Sequence, residues 1–257
     1  MRQLAPVVTL CLFGAAYALG GEAKAVEDSI AALVRPLTLP FLWRSLADAT
    51  AHGDPREAWE AAQLLLEATP GWADGHTVFA FRYALDGGDA VLPKAAREVA
   101  AFDRLRLSLR LLEDARAECG KREPQVLSDM AWLVELAVRN EPGIAAHLGT
   151  DPAVLADRYL EQAEALGAGR MVLEQRLYEV PRLCAAFLRA GDRERALAVL
   201  DEAIRRAGQQ PDPALAHEWR STLLAVRGDL RGDGEDAAGR ELRKADARLQ
   251  PLAPFLR

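Results

Sequence analysis

Apolar positions recur along most of this chain at spacings of three and four. Within residues 56–68, Ala58, Ala61, Ala62, Leu65 and Leu66 fall on one helical face. Pro70 ends that run, because proline has no N–H to continue the hydrogen-bond ladder. Val78, Phe79, Phe81, Ala84 and Leu85 predict a second helix, and Gly87-Gly88 stop it. Residues 51–85 thus read as turn, helix, short turn, helix. The stretch 177–208 has the same rhythm: Gly191-Asp192 corresponds to Gly53-Asp54, Ala196 to Ala58 and Ala203 to Leu65. Gly191 lies 138 residues after Gly53, which is about four units of the 34-residue period of one class of helical hairpin.

The middle of the chain keeps the helical period but loses the strict repeat. Residues 93–119 read as one long helix, with Val99, Phe102, Leu105, Leu109 and Leu112 on its apolar side. Residues 124–139 and 152–167 predict a further pair, and NEPGIAAHLGTD between them predicts an inserted loop. Residues 214–227 and 236–249 predict a final pair joined by the acidic loop GDLRGDGED. Near the N-terminus, residues 22–38 predict a short amphipathic linker helix, with Ile30, Leu33 and Val34 on its apolar side and Pro36 and Pro40 limiting it.

Residues 177–208 offer Val180, Leu183, Cys184, Phe187, Ala196, Leu200 and Ala203 in the order bulky, apolar, small, aromatic, alanine, bulky, small. On these residues the chain resembles the tetratricopeptide repeat family, although Gly208 stands where that pattern ends in proline. Residues 39–70 supply Leu42, Ala58, Ala62, Leu65 and Pro70, with Ser45 and Leu46 departing from the pattern. The second unit in chain order, starting at Asp74, has Phe81 at a position that the family fills with a small residue. The resemblance implies an all-α fold, a right-handed α-solenoid of helical hairpins, whose first helices line a concave docking surface. Carried over position by position, it implies groove-facing residues Val78, Arg82 and Asp86 in the second unit. In the clearest repeat it implies Tyr178, Ala185 and Arg189, and in the last pair Glu218 and Thr222. Among these, Arg and Tyr belong to the side chains enriched at binding hot spots.

Composition agrees with that architecture. Half of the 257 residues are hydrophobic, Leu and Ala dominate, and aromatics are few. The net charge of −6 argues against a general nucleic-acid binder, which needs clustered Lys and Arg. Cys11, Cys119 and Cys184 form no C-x-x-C pair and read as free thiols. The uncharged stretch 4–21 reads either as a secretory signal, with a small-residue site at Ala16-Tyr17-Ala18, or as a single membrane anchor of about minimal length. Arg2 precedes it and Glu22, Lys24, Glu27 and Asp28, net acidic, follow, so both readings put the bulk of the chain on the extracytoplasmic side. The expected organisation is therefore a signal or anchor over 1–21, a linker helix over 22–38, and a repeat domain over 39–257.

Candidate chemistry is sparse. His52, His76, His147 and His217 are scattered, without the close spacing of a metal pair. No G-x-S-x-G and no Gly-rich phosphate loop occurs. The 229–240 loop has Asp229, Asp233 and Gly234 in calcium-loop register, but Arg231 and Arg240 stand where oxygen ligands belong. Trp43, Trp59, Trp72, Trp132 and Trp219 read as packing residues. The expected function is a non-catalytic protein–protein interaction scaffold tethered to a bacterial membrane. Its expected partner is another envelope or membrane protein, with no cofactor, metal, nucleic acid or small-molecule substrate. The alternative is a structural subunit of a larger membrane complex, whose N-terminal helix packs against other transmembrane helices.

Overall fold

The computed structural model describes residues 38–49, 51, 55–85, 92–210, 212–232 and 237–256. The apolar stretch 4–21, the linker helix expected over 22–38 apart from its last residue, and the expected groove residue Asp86 lie outside the described residues. Every regular element among the described residues is helical. None of these helices is long and apolar enough to cross a membrane.

Ten α-helices follow one another among the described residues: α1 (38–49), α2 (Pro55–Ala68), α3 (Ala73–Leu85), α4 (Lys94–Arg116), α5 (Glu123–Asn140), α6 (Pro152–Ala165), α7 (Arg170–Arg189), α8 (Arg193–Ala207), α9 (Pro213–Arg231) and α10 (Ala237–Ala245). Three 3-10 segments lie at Ala117–Arg122, Pro142–His147 and Ala247–Phe255. Contacts divide the chain into two compact units, Met1–Gly75 and His76–Arg257. In the first, α2 buries Ala61, Ala62, Leu65 and Leu66, and the rings of Trp43 and Trp72 meet edge-on at 5.5 Å. The Thr69 hydroxyl donates to the Leu65 carbonyl at 2.8 Å as α2 ends before Pro70.

In the second unit, each helix from α4 to α9 packs on the next one in the chain. Aspartate caps set where several begin. Asp151 accepts from the Ala153 N–H, Asp192 from that of Arg195, and Asp212 from those of Ala214 and Leu215. Such caps satisfy backbone donors that have no partner inside the helix. Gly191 closes α7 with φ 79°, where a side chain would be strained, and the Asp192 N–H reaches the Phe187 carbonyl at 2.9 Å.

The α7–α8 pair has the packing its sequence pattern predicts. Leu183, Cys184, Ala196, Leu200 and Ala203 are buried, and the Cys184 thiol lies 3.5 Å from the Ala196 carbonyl. Two small residues facing each other let the helices approach closely. Elsewhere the structure corrects the reading. From α2 to α8 the chain advances by six helices, so the 138-residue offset divides into three two-helix steps of about 46 residues rather than four of about 34. The 23-residue α4 and the 3-10 turns on either side of α5 lengthen the middle steps. The expected open loop after Asn140 is a 3-10 turn instead, anchored by buried Ile144 and by Arg97 bonding Glu141 at 2.6 Å. The buried stripe of α4 is Ala101, Leu105, Ser108, Leu112 and Ala115, which leaves Val99 exposed. The last helix stops at Ala245, and Ala247–Phe255 folds back onto α7 and α10. There Leu249, Leu252 and Leu256 join one buried cluster with Leu177, Ala185, Leu200, Trp219 and Leu223.

Candidate functional site

Three first helices of successive pairs, α3, α5 and α7, enclose a cleft of about 600 Å³ in the second unit. Helices α5 and α7 run side by side in the same direction. The Ser128 hydroxyl donates to Gln175 Oε1 at 2.6 Å, and two turns further on Arg182 Nη1 donates to Glu135 Oε2 at 2.6 Å. Both rungs join residues 47 apart, so the two helices advance together. α3 is tied to α5 by the Thr77 hydroxyl, which donates to Asp129 Oδ2 at 3.0 Å.

The walls carry large apolar side chains that the core does not cover. Trp132 is 52 % exposed, Met171 76 % and Tyr178 49 %, and all three line the cleft. Contiguous exposed apolar groups of this size mark interaction surfaces on soluble domains. Beyond Tyr178 the wall becomes solid. Tyr178 meets the buried ring of Trp219 edge-on at 5.0 Å, and the Arg248 guanidinium lies 5.4 Å from that indole. Arg248 itself is fixed by Asp246 at 2.9 Å and Glu218 at 2.7 Å.

The floor holds an acid pair. Glu135 and Glu179 are largely buried, and both bind the same guanidinium nitrogen of Arg182, at 2.6 Å and 2.8 Å. Burial first, then the hydrogen bond and repulsion from Glu179, push the Glu135 carboxyl up to about 8 against the pull of Arg182 and Arg139. Glu135 Oε1 is buried and receives no donor from a neighbouring side chain. A proton on Glu135 resolves this, because the protonated carboxyl can donate to Glu179. Next to the pair, Gln175 gives its carbonyl to Ser128 and keeps a buried Nε2 amide with no hydrogen-bond partner among the described residues. The floor thus holds two carboxyl groups that share one bonded cation.

The expected groove residues fall in different places. Tyr178 lines the cleft. On α3 the lining residues are Thr77 and Phe81, whereas Val78 and Arg82, one position on, are exposed outside that lining. One residue turns a helix by about 100°, so a one-residue error in repeat register moves the whole set off the face. Ala185 is fully buried in the cluster that receives Leu249 and Leu252, which removes it from any groove. Arg189 is engaged at the end of α7, bonding the cap residue Asp151 at 2.7 Å. Glu218 is held by Arg248, and Thr222 is half-buried on α9. The reading of Trp132 as a packing residue is corrected by its exposure. Trp132, Glu135, Gln175, Glu179 and Arg182 escaped the sequence reading. A signal for Trp132 existed, since it interrupts the small and aliphatic stripe Met130, Ala131, Leu133, Val134.

Other candidate chemistry is accounted for by packing. Cys119 and Cys184 are free and buried, and burial raises both thiols, that of Cys184 to about 12. Asp229 belongs to α9, where it is buried and takes a bidentate pair of bonds from Arg243 at 2.7 and 2.9 Å, instead of facing a calcium loop. No group of His, Cys, Asp and Glu among the described residues could hold a metal ion. No family model, curated protein or solved structure matches the chain.

Proposed function

We propose that this chain is a non-catalytic docking protein, an α-solenoid of helical pairs related to the tetratricopeptide type, which holds a protein partner in the α3–α5–α7 cleft. The observation that carries the reading is the row of exposed Trp132, Met171 and Tyr178 along a cleft built only from first helices. A preformed helical wall loses little ordering entropy on binding, and exposed aromatics at its centre are the side chains that carry interface energy. The repeat match in α7–α8 adds weight, as does the stacking of each helix from α4 to α9 on its chain neighbour. The apolar stretch 4–21 supports tethering to the extracytoplasmic face of a bacterial membrane, with an envelope or membrane protein as partner.

The test is affinity purification of the full chain from native membranes, with mass spectrometry of the co-purifying proteins. A parallel preparation carries Trp132→Ala and Tyr178→Ala. A partner recovered with the unmodified chain and lost with the double variant is the expected result. An identical set of co-purifying proteins from both preparations would remove the cleft from the reading.

A further inference from the structure

The cleft's chemistry restricts what it can hold. Its lining brings four carboxyl groups, Asp129, Glu135, Glu174 and Glu179, against two guanidinium groups, Arg139 and Arg182. Glu174 is neutralised from outside by Arg170 at 2.5 Å, and Asp129 accepts bonds from the neutral donors Thr77 and Gln125. At the floor, one nitrogen of Arg182 serves both Glu135 and Glu179. Arg139 acts on Glu135 by charge alone, so two carboxyl groups share one bonded cation in the cleft that Trp132 and Tyr178 also line. We propose, resting on the docking role just described, that the cleft receives a protein segment bearing a lysine or arginine beside an apolar residue, with the cation at the Glu135–Glu179 pair and the apolar residue against Trp132, Tyr178 and Met171.

Three physical features make this occupant fit better than an acidic or neutral one. An acidic side chain would bring a third carboxyl group to a pair that already shares one bonded guanidinium and one proton, and a further negative charge in a partly desolvated site is repelled. The rings of Trp132 and Tyr178 line the same cleft, and aromatic rings attract ammonium and guanidinium groups through the ring quadrupole. The proton on Glu135 already occupies the place of the missing positive charge, so a bound cation would take over that role and release it.

The experiment pans phage-displayed random peptides on the full-length chain. An enriched peptide is then titrated in fluorescein-labelled form by anisotropy. The proposal expects enriched sequences with Lys or Arg next to an aromatic or aliphatic residue. Replacing that basic residue by Gln should weaken binding roughly ten-fold or more, and so should Glu179→Gln or Trp132→Ala in the protein. Circular dichroism checks that each variant stays helical, and Glu135→Gln replaces Glu179→Gln if the latter loses helix. Enriched peptides without basic residues that still depend on Trp132 would overturn the basic partner while leaving the docking role intact. No enrichment, or peptide binding that ignores Trp132→Ala, would overturn both. Self-association of the chain in sedimentation velocity that vanishes with Trp132→Ala would replace the basic segment by a second copy as the occupant.

Discussion

At the scale of single residues, the acid pair on the cleft floor has a consequence for stability. Glu135 keeps its proton up to about pH 8 in the folded chain, against an ordinary value of 4.5. Between those values the folded state binds one proton more than the unfolded state, so stability must fall as pH rises through the window. Glu135→Gln is neutral throughout and should flatten that fall. Urea midpoints measured at about pH 5 and about pH 9 would check it, and the unmodified chain should lose more between the two than the variant. Trp132→Ala should leave stability within about 0.5 kcal/mol, because half of the side chain is already in water. A thermal melt would show it, and the small change would separate a binding role from a packing one. The pattern of residues 177–208 pointed to Tyr178, which lies in the cleft lining. Glu179 was not legible, because a buried carboxylate between Tyr178 and Val180 has no one-dimensional signature: its partners Glu135 and Arg182 are set by how α5 and α7 align.

At the scale of elements, helices were legible from apolar spacing and from the Pro and Gly that end them; in the 177–208 stretch the turn and the second helix fall where expected, while α7 begins earlier, at Arg170. The close approach of α7 and α8 depends on Ala196, which lies fully buried against Cys184. Ala196→Leu should cost about 1–3 kcal/mol by forcing the helices apart, read as a lower urea midpoint. The tie between α9 and α10 was not legible, since the sequence places Asp229 in an acidic loop. Because it is a buried anion held by Arg243, Asp229→Ala should cost about 3 kcal/mol by leaving Arg243 without its counter-charge. The same denaturation measurement checks this. The repeat length was misjudged for a related reason: a 3-10 turn and a longer helix alter the step without altering the apolar spacing that the eye follows.

At the scale of the whole molecule, composition alone pointed to an all-α chain, and every regular element described is helical. What composition could not convey is the return of Ala247–Phe255 onto α7. Pro251 and Pro254 forbid an ordinary helix there, so the segment carries no periodic signal although Leu249, Leu252 and Leu256 are buried. Removing residues 247–257 should expose Trp219 and Leu223 and cost several kcal/mol, at roughly 1.5–3 kcal/mol for each large side chain uncovered. Tryptophan fluorescence should shift to the red in the shortened chain, and its cooperative unfolding transition should move to lower urea. Helices α7 and α10 are thus braced by a C-terminal segment that carries no helical periodicity of its own.

The two rungs that join α5 to α7 also act as a ruler. Seven residues of helix rise about 10.5 Å, so the Ser128–Gln175 and Glu135–Arg182 rungs stand about that far apart. An extended strand lying along the cleft covers that distance in about three residues, and a helix in seven. The period with which side chains of a bound segment prove sensitive to replacement would therefore report its conformation before any complex is solved.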